Sequence, residues 1–344
     1  MTEDQITSFG RAFNTMTSIH LPVDDERQVY VTVSAIVAGT LFLPHEEVFQ
    51  DCVRYELAES DNPPQGTRVP SFAFLIQHPK HGKLLFDLGL RKKGEGYPPL
   101  VQDAIPTFRP ECEEDVVDKI TKAEPLIEPQ DINIVIYSHL HFDHIGDLTP
   151  FSCATLVMGK ESEVFLRNPY PDDPGGTHNA LPADQRVCYL DFKSQDASPA
   201  QDMPNSRLIP PMGSFDRAID LFGDGSLYLV DAPGHMSGHM VALARIASNA
   251  FVLLAADTCH SRQCYVPSSA GMVREISSLN YQQWDVAKAT VTKLVEMSQS
   301  ANVVVVLAHE VERLQEKCEE DRMPLFPQSL NAWASQQLEK KFGK

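Results

Sequence analysis

The stretch that most constrains this chain is Ile134-Val-Ile-Tyr-Ser-His139-Leu-His141-Phe-Asp143-His144-Ile-Gly146-Asp147. Ile134 to Tyr137 are branched or aromatic and read as a short buried strand, which runs directly into three histidines and an aspartate spaced H-x-H-x-D-H. Such side chains, so close in sequence, cannot all point one way. His139 and His141 project to one side as the chain leaves the strand, and Asp143 and His144 fall to the other as it enters a helix. Imidazole and carboxylate with no cysteine among them suit zinc, iron or manganese, so the spacing predicts two adjacent metal centres at a strand end.

Composition narrows the rest. The chain has 344 residues, 42% of them hydrophobic, enough for a substantial core in one large or two smaller domains. Its 29 basic and 47 acidic residues give a net charge of -18, which repels phosphate backbones and anionic lipid, so nucleic acid is not an expected partner. The opening Met1-Thr-Glu-Asp-Gln-Ile-Thr-Ser-Phe9 lacks the basic and apolar regions of a secretory signal, and no apolar run approaches the ~20 residues of a membrane span. Seven scattered cysteines without C-x-x-C spacing fit reduced thiols, so a cytoplasmic protein away from membranes is expected.

Along the chain, Val29 to Val37 is the first strand signal, ending near Gly39. Ser71 to Gln77 and Lys83 to Gly89 read as a hairpin around Pro79-Lys-His-Gly82. Asp87, at the hairpin's end, either orients the histidine loop or makes a turn. Residues 111–123 carry a short amphipathic helix, Ala154 to Met158 a strand and Glu161 to Leu166 a helical turn. Residues 168–206, rich in Pro, Gly and Asp, read as an irregular insertion that covers the site or lies in solvent.

Three further strands end in ligand-type residues. Leu227 to Val230 leads through Pro233-Gly234 to His235, Phe251 to Ala256 ends at Asp257, and Asn302 to Leu307 ends near His309. His239 is expected to be a structural neighbour or a residue that supports the ligands from behind. Tyr281 to Ser300 has helical spacing, with Asn280 as N-cap, and a last helix is expected at about 329–342. Tyr97, Phe142, Tyr170, Phe215, Met236 and Tyr265 are candidates for either pocket walls or ordinary packing.

These motifs, H-x-H-x-D-H at 139–144, P-G-H at 233–235, A-D at 256–257 and A-H at 308–309, resemble the metallo-β-lactamase superfamily over roughly residues 28–312. The resemblance implies an α/β fold, a four-layer αβ/βα sandwich, as one domain over 1–344. An N-terminal extension (1–27), a lid-like insertion (168–206) and the C-terminal helix complete it. It also implies that His139, His141 and His235 hold one zinc, Asp143, His144 and His309 a second, and that Asp257 bridges them, with iron or manganese as other divalent choices.

Within the superfamily, P-G-H-M-S-G-H at 233–239 and His309 look most like the N-acyl-homoserine-lactone lactonases and their fungal relatives that hydrolyse benzoxazolinones. His260 stands where those lactonases commonly carry tyrosine, which sets this chain apart from the bacterial enzymes.

The implied activity is hydrolysis of a small cyclic ester or amide, a lactone, γ-lactam or cyclic carbamate, by a metal-bridging hydroxide, in keeping with a detoxifying role. Asp143 would shuttle the proton and His260 would act on the substrate carbonyl or leaving group. A thioester or phosphodiester hydrolase on the same site is the alternative.

Overall fold

The computed structural model describes residues 19–52, 65–194, 200 and 203–342. Most of the expected N-terminal extension and part of the expected insertion lie outside these. Among the described residues, twelve strands form two six-stranded sheets. The first holds β1 (Thr32–Pro44), β2 (Gly66–His78), β3 (Gly82–Phe86), β4 (Ile132–Ile136), β5 (Thr155–Gly159) and β6 (Arg186–Leu190), side by side in chain order. The second runs in reverse spatial order from β12 (Val303–Val306) through β11 (Ala250–Leu254), β10 (Met240–Ala247), β9 (Leu227–Asp231) and β8 (Ala218–Asp220) to β7 (Arg207–Ile209). β3 to β6 are parallel, as are β11 and β12, and the remaining pairs are antiparallel.

The helices are α1 (His45–Val48), α2 (Pro99–Ala104), α3 (Val116–Thr121), α4 (Phe142–Ile145), α5 (Trp284–Gln299) and α6 (Asn331–Phe342). Three apolar clusters show how the layers stack. One lies between the sheets, where Phe72, Phe74 and Ile136 of the first meet Leu229, Ala242 and Leu254 of the second. A second covers the outer face of the second sheet with Ala287, Val291, Leu294 and Val295, which form one stripe of α5. The third covers the outer face of the first sheet with Val116 and Ile120 of α3. Helix, sheet, sheet and helix make the four-layer sandwich that the family resemblance implies. No helix among the described residues is long and apolar enough to cross a membrane.

Several local expectations are corrected. The first strand is longer than its apolar run and passes a register shift between Val37 and Thr40, where Gly39 takes φ +104°. The helix expected over 111–123 is confined to α3, because a capping box between Asp115 and Asp118 fixes its start. The helical turn expected over Glu161 to Leu166 is present, as a 3₁₀ segment spanning Lys160–Leu166. Within the expected insertion, residues 186–190 are β6, parallel to β5, so part of that segment is sheet.

Asn280 does not cap α5, which begins at Trp284 after Gln283. Instead the backbone N–H groups of Gln282 and Gln283 donate to the carbonyls of His235 and Gly234, tying this segment to the P-G-H turn.

Gly234 has a second reason to be glycine. Its φ is +123°, and a Cβ there would lie 2.3 Å from the backbone nitrogen of Ala287. Gly234→Ala is therefore expected to destabilise the fold by about 1–3 kcal/mol, the usual cost of forcing atoms into a packed interior. Urea unfolding checks this, and an unchanged midpoint would contradict it.

Candidate metal centre

The seven residues singled out from the motifs arrive from the C-terminal ends of strands in both sheets. β4 delivers His139 to His144, β9 leads to His235, β11 to Asp257 and β12 to His309. Hydrogen bonds lock the two sheets together at this edge. Met240 N–H donates to Ser138 O (2.9 Å), Phe72 N–H to Ala308 O (3.0 Å), and His309 Nδ1–H to Pro70 O (2.8 Å). Asp87 (φ +59°) and Ala256 (φ +42°) are non-glycine residues in left-handed conformations, a strain that concentrates at functional sites.

The seven side chains form two groups able to hold a metal ion. His139, His141, His235 and Asp257 make the first, and Asp143, His144 and His309 the second. In the first, His235 Nε2 lies 3.2 Å from His139 Nε2 and 2.9 Å from His141 Nδ1, and His139 Nε2 lies 3.0 Å from His141 Nδ1. A tetrahedral zinc with Zn–N bonds of about 2.0–2.1 Å holds its nitrogens about 3.3 Å apart, so this triangle is close to the spacing an ion would set.

Asp257 stands between the groups. Its Oδ2 faces His235 Nε2 (3.6 Å) and His139 Nε2 (3.9 Å), while its Oδ1 faces His144 Nε2 and His309 Nε2, each at 3.3 Å. Asp143 Oδ2 is also 3.3 Å from His309 Nε2.

The surrounding hydrogen bonds decide which nitrogen of each ring faces the centre. Ser138 Oγ–H donates to Asp87 Oδ2 (2.7 Å), so toward His139 Nδ1 (3.0 Å) the hydroxyl accepts. His144 Nδ1–H donates to the same Asp87 oxygen (2.8 Å), and His309 Nδ1–H is committed to Pro70. In all three rings Nε2 is the nitrogen left facing the cluster. Asp87 thus orients the loop, one of the two roles its position suggested.

Among the described residues, buried His144 Nε2 and Asp257 Oδ1 have no hydrogen-bond partner. A buried polar atom left so costs about 1–3 kcal/mol, and a cation between the groups would supply both with a partner. The donor set therefore fits divalent metal.

Electrostatics separates the two groups. Burial, together with neighbouring imidazoles, holds His139 and His235 well below the usual histidine range, so they are neutral and ready to ligate. Burial also opposes charge on His144 and His309, but carboxylates prevail. Asp257, Asp87 and Asp143 hold His144 well above its usual value, and Asp257 and Asp143 push His309 up to about 10. The second group must shed protons to take a metal, so its loading strengthens as pH rises.

A third group, His78, His81 and Asp224, is filled differently. The backbone N–H groups of Lys80 and His81 donate to His78 Nδ1 (3.0 and 3.1 Å), so Nε2 carries the proton and donates to Asp224 and Ser226 (both 3.1 Å). With both nitrogens occupied, this cluster is a turn clamp.

His260 sits at the centre without joining either metal-ligating group. Its Nε2 is 3.1 Å from Asp257 Oδ2, and its Nδ1 is 3.2 Å from the Tyr281 hydroxyl. Asn280 Nδ2 lies 3.4 Å from the same Nε2. Asn280 and Tyr281 are the site residues the sequence concealed, because both read as the start of a helix. His239 is a neighbour, as expected, with Nδ1–H donating to Ala232 O (2.7 Å).

A cavity of about 110 Å³ opens beside His260 and His309, with Leu43, Val48, Phe49 and Val69 as apolar lining. None of the aromatic or methionine candidates for pocket walls lines it. Phe215, Met236 and Tyr265 belong to the apolar clusters instead, and the Tyr97 hydroxyl donates to Phe142 O (3.0 Å).

A model of the metallo-beta-lactamase superfamily matches residues 66–290. The chain is 30% identical over 311 residues to the metallo-hydrolase mfmC of Annulohypoxylon moriforme, covering 79% of this chain and 77% of that one. To the gamma-lactamase FDB1 of Fusarium pseudograminearum it is 31% identical over 214 residues, 58% of this chain and 47% of that one. Other fungal matches are much longer proteins, of which the chain spans about a third. Among solved structures, a mutant of B. thuringiensis AiiA with N-decanoyl-L-homoserine bound at its active site superposes with a TM-score of 0.56 at 17% identity, over 88% of this chain and 99% of that one.

The position of Asp257 between the groups makes its loss more damaging than that of His309. Zinc-loaded wild-type chain is expected to carry two ions, His309→Ala to retain one, and Asp257→Ala to fall below one. Elemental analysis after gel filtration checks this, and equal losses in the two variants would contradict the geometry.

Proposed function

The chain belongs to the metallo-beta-lactamase superfamily, and from that premise we propose that it is a dinuclear zinc hydrolase that opens a small cyclic ester or amide. The substrate class is a lactone, γ-lactam or cyclic carbamate such as a benzoxazolinone. The observation that carries this reading is the pair of ligand groups sharing Asp257, with His260 and a cavity of mixed polar and apolar lining beside them. His139, His141 and His235 would hold one ion, Asp143, His144 and His309 the other, with Asp257 bridging. The gamma-lactamase relative supports the cyclic substrate.

Bound there, the ions supply an activated water and a Lewis acid for the carbonyl. The chain's residues do the rest. Asp143, beside His309, takes the proton released on attack and returns it to the departing oxygen or nitrogen, which an amide needs more than an ester does. His260 is held by Tyr281 at Nδ1 and by Asp257 and Asn280 at Nε2 and borders the cavity, the place from which it would donate to the developing oxyanion. Leu43, Val48, Phe49 and Val69 exclude water from that side. Its seven free cysteines suit the reducing cytoplasm, where we place it.

Assay of the zinc-loaded chain against lactones, γ-lactams including benzoxazolinone, thioesters and bis-p-nitrophenyl phosphate tests the class. A cyclic ester or amide is expected to exceed the others in kcat/KM by about 10²-fold or more. A thioester or phosphodiester at the top of the series would overturn the reading. On the best substrate, His260→Ala is expected to lose about 10²-fold in kcat with its metal content unchanged, the scale of one missing oxyanion donor. Full kcat in that variant removes the catalytic role, and loss of an ion makes His260 a ligand.

A further inference from the structure

A second cavity, of about 430 Å³, lies against the loop that carries His139 to His144, yet none of the seven clustered residues lines it. Its volume falls within the range of small-molecule sites. The wall is largely apolar, with Leu140, Ile145, Leu148, Leu166 and Leu181 contributing.

Among the described residues of this lining, Arg91 is the one that carries a charge. His178, also there, is kept neutral by burial, and its Nε2–H is committed to Leu140 O (2.8 Å). Asn179 Nδ2 is likewise committed, to Gly96 O (2.7 Å).

The guanidinium of Arg91 is poorly matched by the protein itself. Its side chain is only 18% exposed, and its nearest carboxylate among the described residues, Asp147, lies 3.8 Å from Nη1, beyond hydrogen-bond distance. Arg91 Nε is buried and has no partner among them. The backbone N–H of Arg91 is fixed by the Tyr97 hydroxyl (2.8 Å), and the guanidinium stands 5.6 Å from the centre of that ring. A largely buried cation with an unused N–H, at the edge of an apolar cavity, needs an acceptor from outside the chain.

We infer that this cavity binds a small amphipathic monocarboxylate, its carboxylate on Arg91 and its apolar tail along Leu140, Leu148 and Leu181. Guanidinium geometry favours a planar carboxylate that takes two parallel N–H groups. A dianionic phosphate suits the place less well, because one cation already leaning toward Asp147 does not balance two charges beside so apolar a wall. This site is separate from the metal centre, and its ligand touches the back of the loop through Leu140 and Ile145.

Isothermal titration of the zinc-loaded chain with octanoate, 1-octanol and octyl phosphate tests the assignment. Octanoate is expected to bind saturably at one site, and the alcohol and the phosphate at least about tenfold more weakly. Arg91→Met should weaken octanoate about tenfold or more, and Leu181→Trp, which fills the cavity and leaves Arg91 in place, should abolish its binding. Circular dichroism identifies a variant that fails to fold, in which case the other variant and the wild-type ligand series decide. No octanoate binding at millimolar concentration overturns the inference. So does octanoate binding equally well to the folded variants, which places the carboxylate on zinc, or a preference for the alcohol or the phosphate.

Discussion

Three imidazole nitrogens within 2.9–3.2 Å of one another, with Asp257 reaching both groups, form the constraint on which the rest of this site depends. Lone pairs brought that close repel unless a proton or a cation stands between them. Within this triangle His139 Nδ1–H points outward to Ser138, and burial keeps His139 and His235 neutral, so the rings turn lone pairs toward a shared cation. A fold that gathers such groups at one edge has to hold them rigidly. Here the edge is where strand ends of both sheets meet and where backbone bonds such as Met240 to Ser138 cross between them.

Rigidity comes from a second layer of interactions. Asp87 receives the backbone N–H of Ser138, its hydroxyl and His144, so one buried carboxylate sets the direction of the His139 and His144 rings. On the other side, Glu310 follows His309 and accepts from the Tyr265 hydroxyl (2.8 Å) and the Leu307 N–H (3.1 Å), with Arg313 Nε 2.8 Å away. Removing one partner of such a buried pair is costly, about 3–5 kcal/mol, since it strands the other charge. Together these anchors explain how left-handed backbone at Asp87 and Ala256 is sustained.

How far the sequence reveals this differs from element to element. The strand ends at His139, Asp257 and His309 were legible because apolar runs stop abruptly at polar residues of ligand type, a local signal. Asp87 was legible in part, as an acid closing a hairpin. Asn280 and Tyr281 were not, because their contact with His260 spans some twenty residues and their neighbours have helical spacing. β6 was hidden because the Pro- and Gly-rich run before it masks a strand whose partner, β5, lies well upstream. The cavity beside His260 was also hidden, since Leu43, Val48 and Val69 come from β1, α1 and β2 and look like ordinary core positions.

The central claim is that one carboxylate joins two metal positions, and electron paramagnetic resonance of the cobalt-loaded chain tests it most directly. Cobalt(II) in place of zinc is expected to give an isolated high-spin signal at low loading and a weakened, spin-coupled spectrum as the second equivalent binds. A signal that grows in proportion to cobalt up to two equivalents, or binding that stops at one, would contradict the account.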